Sequence, residues 1–316
     1  KKTFGLAYHF SDMIQYLKKE AIDLNRWDAA LAQSPNRLIY AESNYLQHMC
    51  DDWHALILND YEAILPIPIR RKWGIAYMYQ PAFFQQGGLF AATNAAAITP
   101  GFLDALAREI KFAETTMHAG MEFPDPATPF QIKTRKNFLL PLSDNYEAVA
   151  DRFPAYTRQR IRRAEKNELH YTGSHQLHDA VQRYRHLYQQ RLPAFTDDVY
   201  DRFEKLCQYY NTQNRLYIRE VYAADRTEIL ASVILLKDDH RLYNLASSVT
   251  EKGKKMLANY CLFDQVIREF AASGLTLDFE GSDVPGIAYF YEKFASHQEA
   301  YYFIRLNQLP APLKWL

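Results

Sequence analysis

From Arg241 to Arg305 the apolar residues change period several times, and each change predicts a new element. The aromatic and aliphatic run Arg241-Leu-Tyr-Asn-Leu-Ala-Ser-Ser-Val-Thr250 predicts a buried strand, and the charged stretch Glu251-Lys-Gly-Lys-Lys255 predicts a turn. Met256, Tyr260, Phe263, Ile267 and Phe270 then recur at three- and four-residue spacings, which puts them on one face of a helix that Gly274 ends. Leu275, Leu277 and Phe279 alternate with Thr276, Asp278 and Glu280, so a strand with one apolar face delivers two carboxylates to its C-terminal end. In the next stretch, Ser282 or Asp283 can cap a helix that has Pro285 at its start. Ile287, Phe290, Tyr291 and Phe294 make that helix's buried face, and Glu299 to Arg305 reads as a returning strand.

The first half carries a related order. Residues 12–50 hold helical signals: Ile14, Leu17 and Lys18, then Trp27, Ala30 and Leu31, then Tyr45 to Met49. Trp53 to Leu58 and Tyr61 to Ile69 read as a hairpin, with Pro66 and Pro68 placing the second strand at an edge or a bulge. Trp73 to Gln80 is a third strand, Pro81 to Pro100 a loop, and Phe102 to His118 a helix, with a strand restarting at Met121. Leu216 to Val221, Ile229 to Leu236 and Arg241 to Ser247 repeat the three strands before the helix and the strand at Leu275. The economical reading is an α/β protein of two copies of one unit, residues 1–145 and 146–316, each a mixed sheet flanked by helices.

Composition adds limits. At 48% hydrophobic residues, 316 positions suffice for two cores, while 37 basic against 37 acidic residues give no overall instruction about nucleic acid or membranes. Cys50, Cys207 and Cys261 show neither paired nor metal-type spacing, and no stretch approaches a membrane-spanning length, so the expectation is a cytoplasmic protein without a metal. The dense cationic cluster lies in Thr157-Arg-Gln-Arg-Ile-Arg-Arg-Ala-Glu-Lys166, where Arg158 and Arg162 share a helix face beside Arg163. That face suits an anion; the alternative is a solvated helix balanced by Glu165 and Glu168. There is no Walker loop, dinucleotide fingerprint or serine elbow.

Three stretches resemble a known family. Gly286-Ile-Ala-Tyr-Phe-Tyr-Glu-Lys-Phe-Ala295 is similar to the tyrosine-bearing helix A-x-x-L-Y-E-K-x-G-F of GCN5-related N-acetyltransferases (GNATs), with Tyr291-Glu292-Lys293 matching and Ala295-Ser296 in place of Gly-Phe. Leu277 to Ala288 resembles the strand and loop of Fem-type aminoacyltransferases, which are built from two such folds, and Thr157 to Lys166 resembles the segment that opens their second domain. The resemblance implies a tandem GNAT-like acyl-CoA N-acyltransferase fold and transfer of an acyl or aminoacyl group to a primary amine held between the two halves. It implies Tyr291 as the acid that protonates the leaving thiolate, with Asp278, Glu280 or Asp283 as base; a buried core tyrosine and capping carboxylates are the structural alternatives.

The donor would be acetyl-CoA or another acyl-CoA, with its diphosphate near Gly253, Lys254 and Lys255, although the family's Gln/Arg-x-x-Gly-x-Gly/Ala pattern is not present there. Gln86, Gly87 and Gly88 resemble the Gly-Gly segment bordering the Fem substrate channel, and Arg158, Arg162 and Arg163 would hold an anionic substrate. The implied acceptor is a small molecule, an amino sugar or a cell-wall precursor. Aminoacyl-tRNA is the other implied partner, although the chain has no heptad-patterned helical arm. The competing expectation is a binding or scaffold protein that keeps the fold with a degenerate donor site.

Overall fold

The computed structural model describes residues 13–93, 95–121, 123, 129–191, 195–281, 285–294 and 296–311. The chain divides into two compact units, residues 1–135 with 300–316, and residues 136–299.

The first unit begins with β1 (Ile14–Lys18), where helix was expected. Ile14 and Tyr16 both reach the core, a two-residue period that the spacing of Ile14, Leu17 and Lys18 had masked, and the strand pairs antiparallel with β2 (Asp52–Leu58). Between them lie α1 (Leu24–Gln33) and α2 (Ser43–Met49). Asp23 accepts the Asn25 and Arg26 N–H groups to start α1, whose Trp27 and Leu31 are buried. Next come β3 (Ala63–Lys72), β4 (Ile75–Met78), β5 (Phe90–Ala91), α3 (Ala95–Glu109) and β6 (Phe112–Met117).

β3 lies inside the sheet, yet β5 covers its residues 63–64 and β4 its residues 69–72, so Pro66 and Pro68 fall in the interval between them where the ladder needs no proline donor. The helix expected to run to His118 stops at Glu109, because Ala113, Thr115 and Met117 alternate into the core as a strand.

β7 (Phe130–Pro141) leads into the second unit, with α4 (Tyr146–Asp151), α5 (Ala155–Glu165), β8 (His170–Ser174), α6 (Leu177–Tyr188), α7 (Asp197–Thr212), β9 (Leu216–Tyr222), β10 (Ile229–Lys237) and β11 (Arg241–Val249). Then follow α8 (Glu251–Lys255), α9 (Ala258–Phe270), β12 (Thr276–Asp278) and α10 (Pro285–Glu292). The strand order of this unit is β7-β12-β11-β10-β9-β8. Residues 251–255, expected as a turn, are helical, and Leu257 in the left-handed region (φ 60°) separates them from α9, whose buried face carries the expected Tyr260, Phe263, Ile267 and Phe270. The last strand, β13 (His297–Asn307), pairs its residues 302–307 with β6, so the end of the chain completes the sheet of the first unit.

Candidate functional site

The site is built where two strands part. β11 and β12 pair in parallel only over Arg241–Tyr243 and Thr276–Asp278. On its other side β11 slips register against β10, leaving Leu245 without an opposite residue between Asn244 and Ala246, and such a bulge bends a strand. Beyond Tyr243, no backbone partner meets β11 on the β12 side among the described residues.

Tyr291 of α10 stands at this fork. It is 7% exposed, its ring stacks on Phe279 at 4.9 Å and 27°, and Phe263, Phe290 and Phe294 pack around it. That cage explains why the sequence puts aromatics at 290, 291 and 294 of a short helix. The Asn244 amide nitrogen donates to the phenol oxygen at 3.1 Å and to the Phe279 carbonyl at 3.3 Å. Burial pushes the Tyr291 phenol up to about 12, against the pull of the neighbouring Ser247 and Asn244 side chains, so at neutral pH the group carries its proton.

Glu280 follows β12 and sits in the left-handed region at φ 54°, an uncommon conformation for a residue with a Cβ. What holds it is Asp278. This carboxylate is fully buried, accepts the Glu280 N–H at 2.9 Å through Oδ1, and accepts Arg241 Nη1 at 2.8 Å through Oδ2. Burial works against the Arg241 charge, but Asp278 and Glu299 outweigh it and raise the Arg241 pKa. Asp278 is thereby committed to an ion pair and a turn, whereas Glu280 shares its surroundings with Tyr291 and with Tyr184 and Tyr188 of α6. Those two tyrosine rings lie 5.1 Å apart, and burial raises the Tyr184 pKa.

The remaining expected residues fall elsewhere. Asp283 lies outside the described residues. Gly253 is a buried helical residue, not an open loop glycine: its N–H goes to Thr250 Oγ1 at 2.9 Å, and an added Cβ would come 2.3 Å from the Leu230 carbonyl. Lys254 pairs with Glu251 at 2.5 Å and its neighbour Lys252 with Glu228 at 2.6 Å, while Lys255 is exposed. Arg158 turns back to the Asp151 and Phe153 carbonyls, closing the end of α4, and Arg162 and Arg163 are exposed. Gln86, Gly87 and Gly88 are buried in the first unit, where Gly87 bridges Met117 and Gly88, at φ 135°, lies flat against His118.

Sequence reasoning missed Asn244, Ser247, Tyr184 and Tyr188. The available signal was Asn244, an amide in the middle of a run that otherwise reads as buried strand, since a buried amide must find partners. A cavity of about 670 Å³ between α5, β8 and α9, lined by Glu165, His170, Arg226 and Asp264, contains none of these groups. No cluster of residues suited to a metal ion occurs among the described residues.

Residues 152–291 match the family described as "Acetyltransferase (GNAT) domain". Among solved structures, the chain is similar to FemX, with a TM-score of 0.63 at 12% identity over 93% of this chain and 98% of that one. It is similar to a conserved protein of unknown function from Bacteroides thetaiotaomicron (TM-score 0.57, 10% identity, 93% and 99% covered). A tandem GNAT protein from the clavulanic acid biosynthesis pathway matches with a TM-score of 0.50 at 10% identity, covering 94% and 99%. No curated protein matches the sequence. At these identities the structural likeness establishes the tandem GNAT fold.

Proposed function

We infer, from the match of residues 152–291 to the GNAT acetyltransferase domain and from the tandem GNAT fold, that the chain is a Fem-like acyltransferase acting at the fork of β11 and β12. The observation that carries the reading is the Tyr291 phenol, protonated at neutral pH and placed at the open edge of β11, with its oxygen held by the Asn244 amide. The donor substrate is an acyl thioester whose arm adds to the unpaired edge beyond Tyr243, as a peptide strand would. The acceptor is a primary amine. Its nitrogen forms a bond to the thioester carbon, the carbon–sulfur bond breaks, and the departing sulfur takes the Tyr291 proton, leaving a phenolate that Asn244 is in place to hold. Glu280 is the group we assign to take the amine proton, with Asp278 fixing its backbone. Acyl and aminoacyl groups are both compatible with this chemistry.

At the thioester end the residues fit such a donor, through the open strand edge and the phenol. At the diphosphate end the fit is poorer, because the Gly253 amide is already bonded and its face is packed on β10. A cavity of about 440 Å³ between α6 and the end of β11, lined by Arg183, His186, Ser248 and Thr250, is the place we assign to the polar tail. The packed Gly253 turn also favours a second reading, a binding protein that has kept the fold without a donor. Calorimetry with acetyl-CoA, followed by a thiol-release assay over a panel of primary amines, separates the two. Binding of acetyl-CoA together with a turnover that Tyr291→Phe sharply lowers supports the acyltransferase; a protein that neither binds nor turns over any acyl thioester supports the second.

A further inference from the structure

The Asn244 side chain is complete at one end and empty at the other. The end that faces the Phe279 carbonyl must be the NH2, since that oxygen can only accept, and the second N–H reaches the Tyr291 oxygen. The orientation is therefore fixed by chemistry. It leaves Asn244 Oδ1 as an acceptor with no partner among the described residues, on a residue only 4% exposed. Buried acceptors are seldom left so, because water has been removed and nothing replaces it. The same residue is the first of β11 beyond its pairing with β12, where the strand edge opens.

We propose that Asn244 is a two-ended positioning residue, its amide nitrogen holding the Tyr291 phenol and its carbonyl oxygen taking an amide N–H of the thioester donor. This rests on the acyltransferase reading above and names the donor as one with an amide close to its sulfur, as in a pantetheine arm. Tyr291 must face the sulfur to protonate it, and the amide nitrogen of such an arm is only two carbons from that sulfur, so one arm can reach both the phenol and the Asn244 amide bonded to it. A thioester without a nearby N–H would leave the carbonyl unpaired in the complex, and a site with an unpaired buried group discriminates against such a ligand. Asn244 thus couples recognition of the arm to the alignment of the acid, and a donor that satisfies the carbonyl also steadies the phenol.

The test uses the full chain, with acetyl-CoA as probe, in wild type, Asn244→Asp and Asn244→Leu, each checked for folding by thermal denaturation. Asn244→Asp keeps an acceptor and removes the nitrogen from Tyr291: acetyl-CoA should bind within a few-fold of wild type while kcat falls. Asn244→Leu removes both ends, and binding should weaken by about ten-fold as well. Equal acetyl-CoA affinity in wild type and Asn244→Leu overturns the carbonyl assignment and leaves the acyltransferase reading standing. Wild type that binds no acetyl-CoA overturns both.

A readout without ligand decides the other end. With 3-fluorotyrosine at position 291, the fluorine titration should move to higher pH in Asn244→Leu, because a donor to the phenolate is gone. An unmoved titration overturns the contact's role.

Discussion

In both units a strand diverges from its parallel neighbour after a short pairing, β4 from β6 in the first and β11 from β12 in the second, and the two divergences are filled differently. In the first unit the β4–β6 pairing is a single position, Met78 with Ala113. The connection from Tyr79 to Leu89 then folds into the opening. Gln80 Oε1 accepts from Thr115 Oγ1 at 3.0 Å and from the Thr116 N–H and Oγ1 at 2.8 Å, while Gly87 donates to the Thr116 carbonyl and accepts the His118 N–H, both at 2.9 Å. The protein's own chain supplies the partners that β6 needs. In the second unit Thr250 alone joins β11 to α8, so that connection is too short to enter, and Asn244 Oδ1 keeps no partner among the described residues. The difference teaches that connection length decides whether the strand's own connection can fill its fork.

The sharpest break of that comparison is Tyr291→Phe, expected to lower kcat by about two orders of magnitude or more with little change in acetyl-CoA affinity, measured by thiol release. An unchanged kcat would return Tyr291 to the core. Next, Arg241→Leu leaves the fully buried Asp278 carboxylate without its cation, which should cost about 3–5 kcal/mol in urea denaturation and release the backbone of Glu280. A loss below about 1 kcal/mol would mean the pair is solvated, contrary to its burial. In the filled fork, Gly88→Ala meets both φ 135° and His118 Cδ2 at 2.3 Å from the new Cβ. It should destabilise by about 1–3 kcal/mol while leaving kcat of the folded fraction intact. A fall in kcat at unchanged stability would show that the first fork takes part in the reaction.

Much of this was legible before any coordinates. The period changes from 256 to 294 placed the helix face of α9, the strand carrying Asp278 and the tyrosine helix, because a strongly periodic apolar face is set locally. β1 was not legible, since five residues read alone cannot show that Ile14 opposes Leu58. Nor was the end of α3, where Phe112 to Met117 becomes a strand through pairing with a segment nearly two hundred residues later in the chain. Among site residues, the sequence marked Tyr291 and the carboxylates but treated Asp278 and Glu280 alike. Arg241, a strand residue with no distinctive pattern, is what separates a buried paired group from one beside the phenols. Gly253 misled for a related reason: a glycine in a charged stretch suggests a loop, and the closeness of the Leu230 carbonyl exists only once β10 is in place.

The smallest expected effect concerns pH and isolates the open fork from the rest of the molecule. Tyr291 in the folded protein ionises near 12, whereas in the unfolded chain it ionises near the ordinary phenol value of about 10. Its folded pKa is raised, so the stability it contributes is fully present below pH about 10 and is lost as the pH climbs towards 12, because the unfolded state gives up its proton first. Other part-buried phenols, Tyr146 and Tyr171 among them, are raised too and steepen the decline of the whole protein. The difference between wild type and Tyr291→Phe removes them. The gap in urea midpoint between the two proteins should hold constant from pH 7 to about 9.5 and then move in favour of the variant as pH rises. A gap that stays constant through pH 11.5 would mean that the phenol already ionises at its ordinary value, and the fork would then be wet enough that Asn244 Oδ1 has water for a partner.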